Sequence, residues 1–313
     1  TATVTDAFAL TDVPESMIVV GGGMTGLQVA SIFQAFGSRV SLFQSAPRVV
    51  PREDEDVSIA LAAAFREAGM VVREGTGAIE SFERSRDGVR MHVSTGGVRD
   101  GTDATLAVVA IGWVADTAGL NLLGARVECD ARGYIRVDAW LRTSAPHVYA
   151  AGDITGRWML APQALHDGWI AATNAVEGQA LTVPDGVRPA GGFTEPEYAS
   201  VGLTEAKARE THDVVVMRVR FDETTRTIID GRTDGFCKLV VDRGTQTILG
   251  CHVVGERAVE IVQVAAIAMS AEMGVRAIAR IPLSFPTYTG ILGRAAGRAL
   301  EELEPGGEVR EAF

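Results

Sequence analysis

The run Met17-Ile18-Val19-Val20 is apolar without a break and rich in β-branched residues, and it stops at Gly21-Gly22-Gly23-Met24-Thr25-Gly26. Apolar residues then recur at Leu27, Ala30, Ile32 and Phe33, which predicts a helix opening within the glycines. Arg39-Val40-Ser41-Leu42-Phe43 predicts a second strand, so strand, glycine turn, helix and strand form one βαβ unit. The acidic run Glu53-Asp54-Glu55-Asp56 lies at the positive end of the next predicted helix, which Gly69 stops. Short strands punctuated by Gly75, Gly77, Asp87-Gly88 and Gly96-Gly97 follow, and residues 104–111 predict another central strand closed by Gly112.

The rhythm then changes. Val148-Tyr149-Ala150-Ala151 reads as a buried strand ending in Gly152-Asp153, with a helix over about 162–176 behind it. Pro184, Pro189, Gly191-Gly192 and Pro196 mark a boundary near 185–196. Beyond it, strands at 214–221, 236–241 and 248–254 precede two apolar helices near 257–273 and 289–303, the pattern of an α+β domain. Residues 1–15 read as a linker, and a polar tail after Pro305 is expected to be mobile. There is no internal repeat.

Composition narrows the classes. The chain has 313 residues, 47% hydrophobic and 22% charged, which suits a globular protein of roughly two domains. A formal charge of -11 without any basic run argues against nucleic acid, whose phosphates need clustered Lys and Arg. The most apolar stretch, 258–273, is broken by Glu260, Gln263 and Glu272 and is shorter than the ~20 residues of a membrane span, so a buried helix is expected and no membrane partner. The start TATVTDAF has neither a basic region nor an apolar core of a signal peptide. Cys129, Cys237 and Cys251 are widely spaced, which predicts no metal site and no disulfide framework and makes a reducing cytoplasm the expected location.

The chemistry starts at the glycines. Gly21, Gly23 and Gly26 form GxGxxG between a strand and a helix, with Gly22 and Thr25 in the same loop. The first glycine permits a tight turn, the second lets backbone approach a pyrophosphate, and the third allows close helix packing. A glycine turn without a ligand is the plainer reading. At the end of the second strand, where NAD enzymes usually place a carboxylate, stand Gln44 and Ser45, with Arg48 further on. Nothing there repels a 2′-phosphate, which favours NADP or dual use over NAD alone; Arg48 as a solvated loop residue is the competing reading.

The ordered motifs GGGMTG, AIGW, VYAAGDI, SVGLTEAKA and FPTYTG resemble the pyridine nucleotide-disulfide oxidoreductases over nearly the whole chain, about 6–303. That resemblance implies an α/β protein with a doubly wound, Rossmann-type NAD(P)-binding domain (16–130), the remainder of an FAD-binding domain (131–187) and a C-terminal α+β dimerisation domain (188–313). It implies a homodimer with FAD and NADP or NAD as cofactors. Gly112 belongs to AIGW. Asp153, after Gly152, matches the aspartate that bonds the flavin's ribityl chain; Leu160, Ala161 and Pro162 match backbone lying against its ring. A simple helix-capping turn is the plainer reading of Gly152-Asp153.

The departures carry equal weight. The family begins with its own FAD-binding GxGxxG and a CxxxxC dithiol, whereas this sequence holds one GxGxxG and three separate cysteines. It corresponds to the part from the linker onward. The disulfide-reducing members carry His-Pro-Thr-x-x-Glu near the C-terminus, where His handles the thiol proton and Glu orients it; here the stretch reads Phe285-Pro286-Thr287-Tyr288-Thr289-Gly290. Phe-Pro also occurs in metal-reducing members, but their paired C-terminal cysteines are absent from 308–313. Met24 and Gln28 stand where many relatives have Tyr and Glu beside the hydride path. His147, His166, Asp167, His212 and His252 are weak catalytic candidates, so no catalytic residue is assigned. The expected function is hydride transfer from NAD(P)H to FAD and on to a small-molecule acceptor such as a quinone, metal ion or dye. The alternative is a non-catalytic dimeric nucleotide-binding module without flavin.

Overall fold

The structure, a computed structural model, describes residues 1–184 and 186–305. The chain forms two compact units, one of residues 1–111 with the chain from Pro189 onward, the other of residues 112–188. The tail expected after Pro305 lies outside the described residues from Gly306 on.

The first unit opens with strand β1 (Ala2–Thr3) and helix α1 (Val4–Phe8). Then come β2 (Ser16–Val20), α2 (Met24–Ala35), β3 (Arg39–Phe43), α3 (Glu55–Glu67) and β4 (Val71–Arg73). Strands β5 (Ala78–Ser85), β6 (Gly88–Thr95) and β7 (Val98–Ala104) precede β8 (Leu106–Val109). A five-stranded parallel sheet runs in the order β1-β8-β2-β3-β4. Residues 17–20 of β2 are unbroken in apolar character because both faces of the strand are covered there. Met17 and Val19 pack with Leu27, Phe33, Leu61 and Phe65 of α2 and α3. Ile18 and Val20 face the other way, with Phe43, onto Val89, Met91 and Val93 of an antiparallel meander, β5-β6-β7. The Rossmann-type parallel sheet is as expected; its second face carries this meander.

Residues 2–8 correct the reading of 1–15 as a linker. Ala2 and Thr3 pair with Val108 and Val109, and Thr3 caps α1 in a capping box with Asp6. Val4 and Ala7 bury the inner stripe of a helix too short to show a period.

The second unit contains one long helix, α4 (Ala161–Glu177). Its other described residues form 3-10 turns at Ala118–Leu120 and Gly152–Thr155 and irregular chain with isolated bridges, Cys129 to Ile135 and Arg142 to Tyr149, over small apolar clusters such as Val127, Ile135, Ala145 and Ala150. The strand expected at 148–153 is corrected accordingly. Gly152 has φ of +76° and starts a 3-10 turn over Gly152–Thr155, so the extended run stops there.

From Pro189 the first unit continues with β9 (Ala190–Gly192), β10 (Tyr198–Gly202), α5 (Glu205–Arg209), β11 (Val214–Arg220), α6 (Thr225–Asp230), β12 (Phe236–Asp242) and β13 (Ile248–Val254). Helices α7 (Ala258–Ser270), α8 (Val275–Arg280) and α9 (Gly290–Leu303) close the fold. The strands form an antiparallel sheet ordered β11-β12-β13-β10-β9. Tyr198, Phe236 and Val254 on this sheet share the apolar core of α2 and α3. Cys237 and Cys251, distant in sequence, are diagonal neighbours on β12 and β13, since Cys237 faces Val253 and Leu239 faces Cys251. Both are free and fully buried; their mutual hydrogen bond, then burial, holds the Cys251 thiol well above its usual value. No helix among the described residues is long and apolar enough to cross a membrane.

Candidate nucleotide-binding site

The loop after β2 is shaped by how closely backbone approaches backbone. Gly21 has φ of +107°, and a side chain on it would collide with the Ala110 carbonyl at the end of the neighbouring strand. A side chain on Gly26 would collide with the Gly21 carbonyl. Gly23 differs: a Cβ there would meet no atom within 4 Å. Gly23 caps α2 with extended backbone, and the first helical bond runs from the Leu27 amide to the Gly23 carbonyl at 3.0 Å. The amides of Met24, Thr25 and Gly26 therefore precede the helical ladder, without a side-chain cap. Open space beside unsatisfied amides at the positive end of a helix fits a pyrophosphate.

The strand-end residues divide. Gln44 is buried, and its Oε1 lies 3.4 Å from the Gly22 amide, so it braces the loop from behind. Its place at the strand end is as read, but its amide does not face outward. Ser45 is exposed. Arg48 is half-buried, with Nη2 3.5 Å from the Glu53 carbonyl and Nη1 3.9 Å from Glu55. Sequence reasoning missed Val50, whose amide donates to the Gly22 carbonyl at 2.7 Å, and Glu74, whose Oε1 accepts from the Val49 amide at 2.8 Å. The first contact is pure backbone, which leaves no residue-type signal.

Met24 is half-buried, and Gln28 donates to the Met24 carbonyl at 3.4 Å and accepts from the Phe193 amide at 3.2 Å. Gln28 is thus occupied as a tie between α2 and the chain after Pro189.

In the second unit, Gly112 is exposed with φ of +141°. Gly152 is buried while the Asp153 side chain is exposed, and among the described residues nothing bonds its carboxylate. Leu160 is the N-cap of α4 and offers no side-chain bond; Ala161 and Pro162 form the exposed first turn. A free carboxylate beside an uncapped, exposed helix start fits the hydroxyls and ring edge of a flavin, so these residues fit the group that the motif implies.

The histidines are accounted for otherwise. His147 and His166 are exposed, the latter 6.0 Å from the Trp169 ring. Asp167 is buried and accepts from Gln163 at 2.6 Å. His212 pairs with Asp242 at 2.8 Å. His252 is 1% exposed, with Nε2 2.9 Å from the Leu203 carbonyl. Between Ser284 and Gly293 the titratable side chain is Tyr288, whose hydroxyl donates to Asp230 at 2.7 Å. Burial, then that bond to Asp230, pushes it up to about 12. Phe285 is 69% exposed.

Two family models match the chain. The pyridine nucleotide-disulphide oxidoreductase model covers residues 1–168, and that family's dimerisation domain covers 188–296. A dihydrolipoyl dehydrogenase from Thermus scotoductus is 37% identical over 265 residues, 84% of this chain and 56% of the relative. A mercuric reductase from Bacillus cereus is 33% identical over 85% of this chain and 42% of its own length. Among solved structures, the Cu(II) complex of the HOCl-induced flavoprotein disulfide reductase RclA from Escherichia coli has a TM-score of 0.88 at 25% identity, covering 95% of this chain and 67% of that one. LpdA from Mycobacterium tuberculosis has a TM-score of 0.86 at 28% identity over 95% of this chain and 64% of its own. The chain spans 56% of the first of these dehydrogenases and 64% of another, from Chlorobaculum tepidum.

Proposed function

This chain belongs to the pyridine nucleotide-disulphide oxidoreductase family, whose members use FAD and NAD(P)H, and from that premise we propose that it serves hydride transfer from NADPH or NADH to FAD and onward to an acceptor that is not a disulfide. When bound, the flavin supplies the electron relay between nicotinamide and acceptor, a chemistry that suits quinones, metal ions and dyes. The chain's own residues bind and orient. Gly23 leaves room for the pyrophosphate, and the amides of Met24, Thr25 and Gly26 bond its oxygens. Ser45 and Arg48 meet the adenosine ribose or its 2′-phosphate. Asp153 accepts from a ribityl hydroxyl, and the backbone of Leu160, Ala161 and Pro162 lies along the ring. Residues 188–296 make the homodimer, in keeping with the dimerisation-domain match.

The observation that carries the choice of acceptor is Phe285, an exposed apolar ring where the resemblance places the thiol base. A positioned acid/base contributes roughly 10²–10⁴-fold to proton transfer. Phe285 has no proton to exchange, Gly290 has no carboxylate, and Tyr288 holds its proton near neutral pH. A flat apolar acceptor can instead stack on Phe285.

The test is turnover with NADPH over a panel of acceptors by the flavoprotein reconstituted with the FAD-binding segment that this sequence does not hold. Quinones or dyes are expected to be reduced, while lipoamide and oxidised glutathione are not; efficient turnover of either disulfide would overturn the proposal. A colourless protein that binds NADPH and reduces nothing would favour the second reading, a dimeric nucleotide-binding module.

A further inference from the structure

Lys238 lies on β12 with 2% of its side chain exposed, where a lone ammonium would be untenable. Three carboxylates hold it: Asp54 Oδ1 at 2.9 Å, Asp56 Oδ2 at 2.9 Å and Glu205 Oε2 at 2.6 Å. Arg218 approaches Asp56 at 3.8 Å and Arg209 pairs with Glu205 at 2.8 Å, which offsets the excess negative charge. Asp54 is itself 3% exposed and works in several directions at once. Its side chain caps α3 through the Asp56 amide at 3.2 Å and accepts from the Glu205 amide at 2.8 Å. Its carbonyl takes the first helical bonds from Val57 and Ser58.

From that anchored helix start, contacts lead to the glycine loop. Fully buried Ser58 donates from Oγ to the Val50 carbonyl at 3.3 Å, and the Glu53 amide donates to the same carbonyl at 2.9 Å. Val50 has φ of +36°, a conformation that β-branched residues avoid and that persists only where the surroundings hold it. Its amide holds the Gly22 carbonyl at 2.7 Å. That carbonyl and the Gly23 amide belong to one planar peptide, so its direction sets where the Gly23 N–H points.

We propose that Lys238 is a positioning residue for the dinucleotide loop, acting through Asp54, Ser58 and strained Val50 to fix the Gly22–Gly23 peptide. This rests on the reading of Gly21–Gly26 as a pyridine-nucleotide site. Removing the ammonium leaves buried Asp54 unpaired beside the partly exposed carboxylates of Asp56 and Glu205, and the helix start shifts to relieve their repulsion. The loop then loses the bond that orients it, while the rest of the parallel sheet keeps its packing.

The experiment compares NADPH titrations of wild type, Lys238→Met, Ser58→Ala and Leu292→Ala, with amide hydrogen exchange over residues 45–60, well below each unfolding midpoint. Leu292, a fully buried residue of α9 that is not one of the named links from Lys238 to Gly22, serves as a stability control. Lys238→Met is expected to weaken NADPH binding on the order of tenfold to a hundredfold, as small displacements at a remote support can do, and to speed exchange at Val50. Ser58→Ala is expected to show a smaller loss with the same local exchange change, and Leu292→Ala neither. A folded Lys238→Met protein with wild-type affinity and exchange would overturn the proposal. Should that variant fail to fold, Ser58→Ala decides, and unchanged affinity and exchange there would overturn it equally. Equal weakening by Leu292→Ala would reduce Lys238 to a stability residue and overturn the positioning role. Wild-type protein that binds neither NADPH nor NADH would refute the nucleotide reading itself, a different and recognisable outcome.

Discussion

Gly23 and Gly26 belong to one motif, yet a side chain would do different things at each. At Gly26 it would strike the Gly21 carbonyl, so Gly26→Ala should destabilise the unit by about 1–3 kcal/mol or more through overpacking. At Gly23 it would point into open space, so Gly23→Val should unfold at nearly the wild-type temperature and still lose NADPH binding. Thermal unfolding alongside nucleotide titration separates the two, and wild-type NADPH affinity in Gly23→Val would remove the loop from the account. Gln44 is where residue type and position were legible but direction was not. The strand end could be read from the sequence, whereas the inward turn of its amide depends on the Gly22 amide facing it. Of the two residues proposed at the adenosine ribose, Ser45 and Arg48, only Arg48 carries a positive charge, so Arg48→Ala is expected to weaken NADPH relative to NADH by about 1.5–3 kcal/mol, the size of a hydrogen bond to a charged group. Equal loss for both nucleotides would assign Arg48 to loop structure.

At the level of elements, α2, α3, α4, α7 and α9 were legible because each is long enough for its period to show. The five- and six-residue helices α5, α6 and α8 were not, since one and a half turns carry no period. Also illegible was the row across the second sheet, where Lys238 and Ser200 both face His252 in register. Pairing of distant strands brought these residues together; no local spacing encodes it. Burial holds His252 below its ordinary value, against the Leu203 hydrogen bond and the nearby Asp54, with Lys238 and Asp56 the other charges acting on it. Above an unperturbed value of about 6.5 the imidazole is neutral in both states, and as pH falls below that the unfolded chain takes up the proton first. Stability should thus fall from about pH 6.5 downward until the folded imidazole is protonated too. His252→Gln, which keeps an amide donor for Leu203, should show a shallower drop in unfolding temperature between about pH 7 and pH 5.5. Identical slopes for the two proteins would show that His252 contributes nothing to this dependence.

Across the whole molecule, the family was legible from the order of its motifs, and both family models fall where those motifs lie. The three cysteines show the limit of that kind of reading: spacing alone separated Cys237 from Cys251, and the β12–β13 register makes them neighbours. The proposed choice of acceptor rests on the departures at Phe285 and Gly290, since neither side chain can exchange a proton where the resemblance places His and Glu, and Tyr288 is engaged with Asp230. The chain's relatives by name include a disulfide-reducing flavoprotein and a mercuric reductase, so the family's scaffold does not by itself dictate the acceptor. The most direct measurement is a two-step anaerobic mixing of the flavoprotein reconstituted with the FAD-binding segment that this sequence does not hold, followed by its visible absorbance. NADPH is expected to bleach the flavin band, a quinone to restore it promptly, and lipoamide or oxidised glutathione to leave it bleached; prompt recovery with either disulfide would contradict the account.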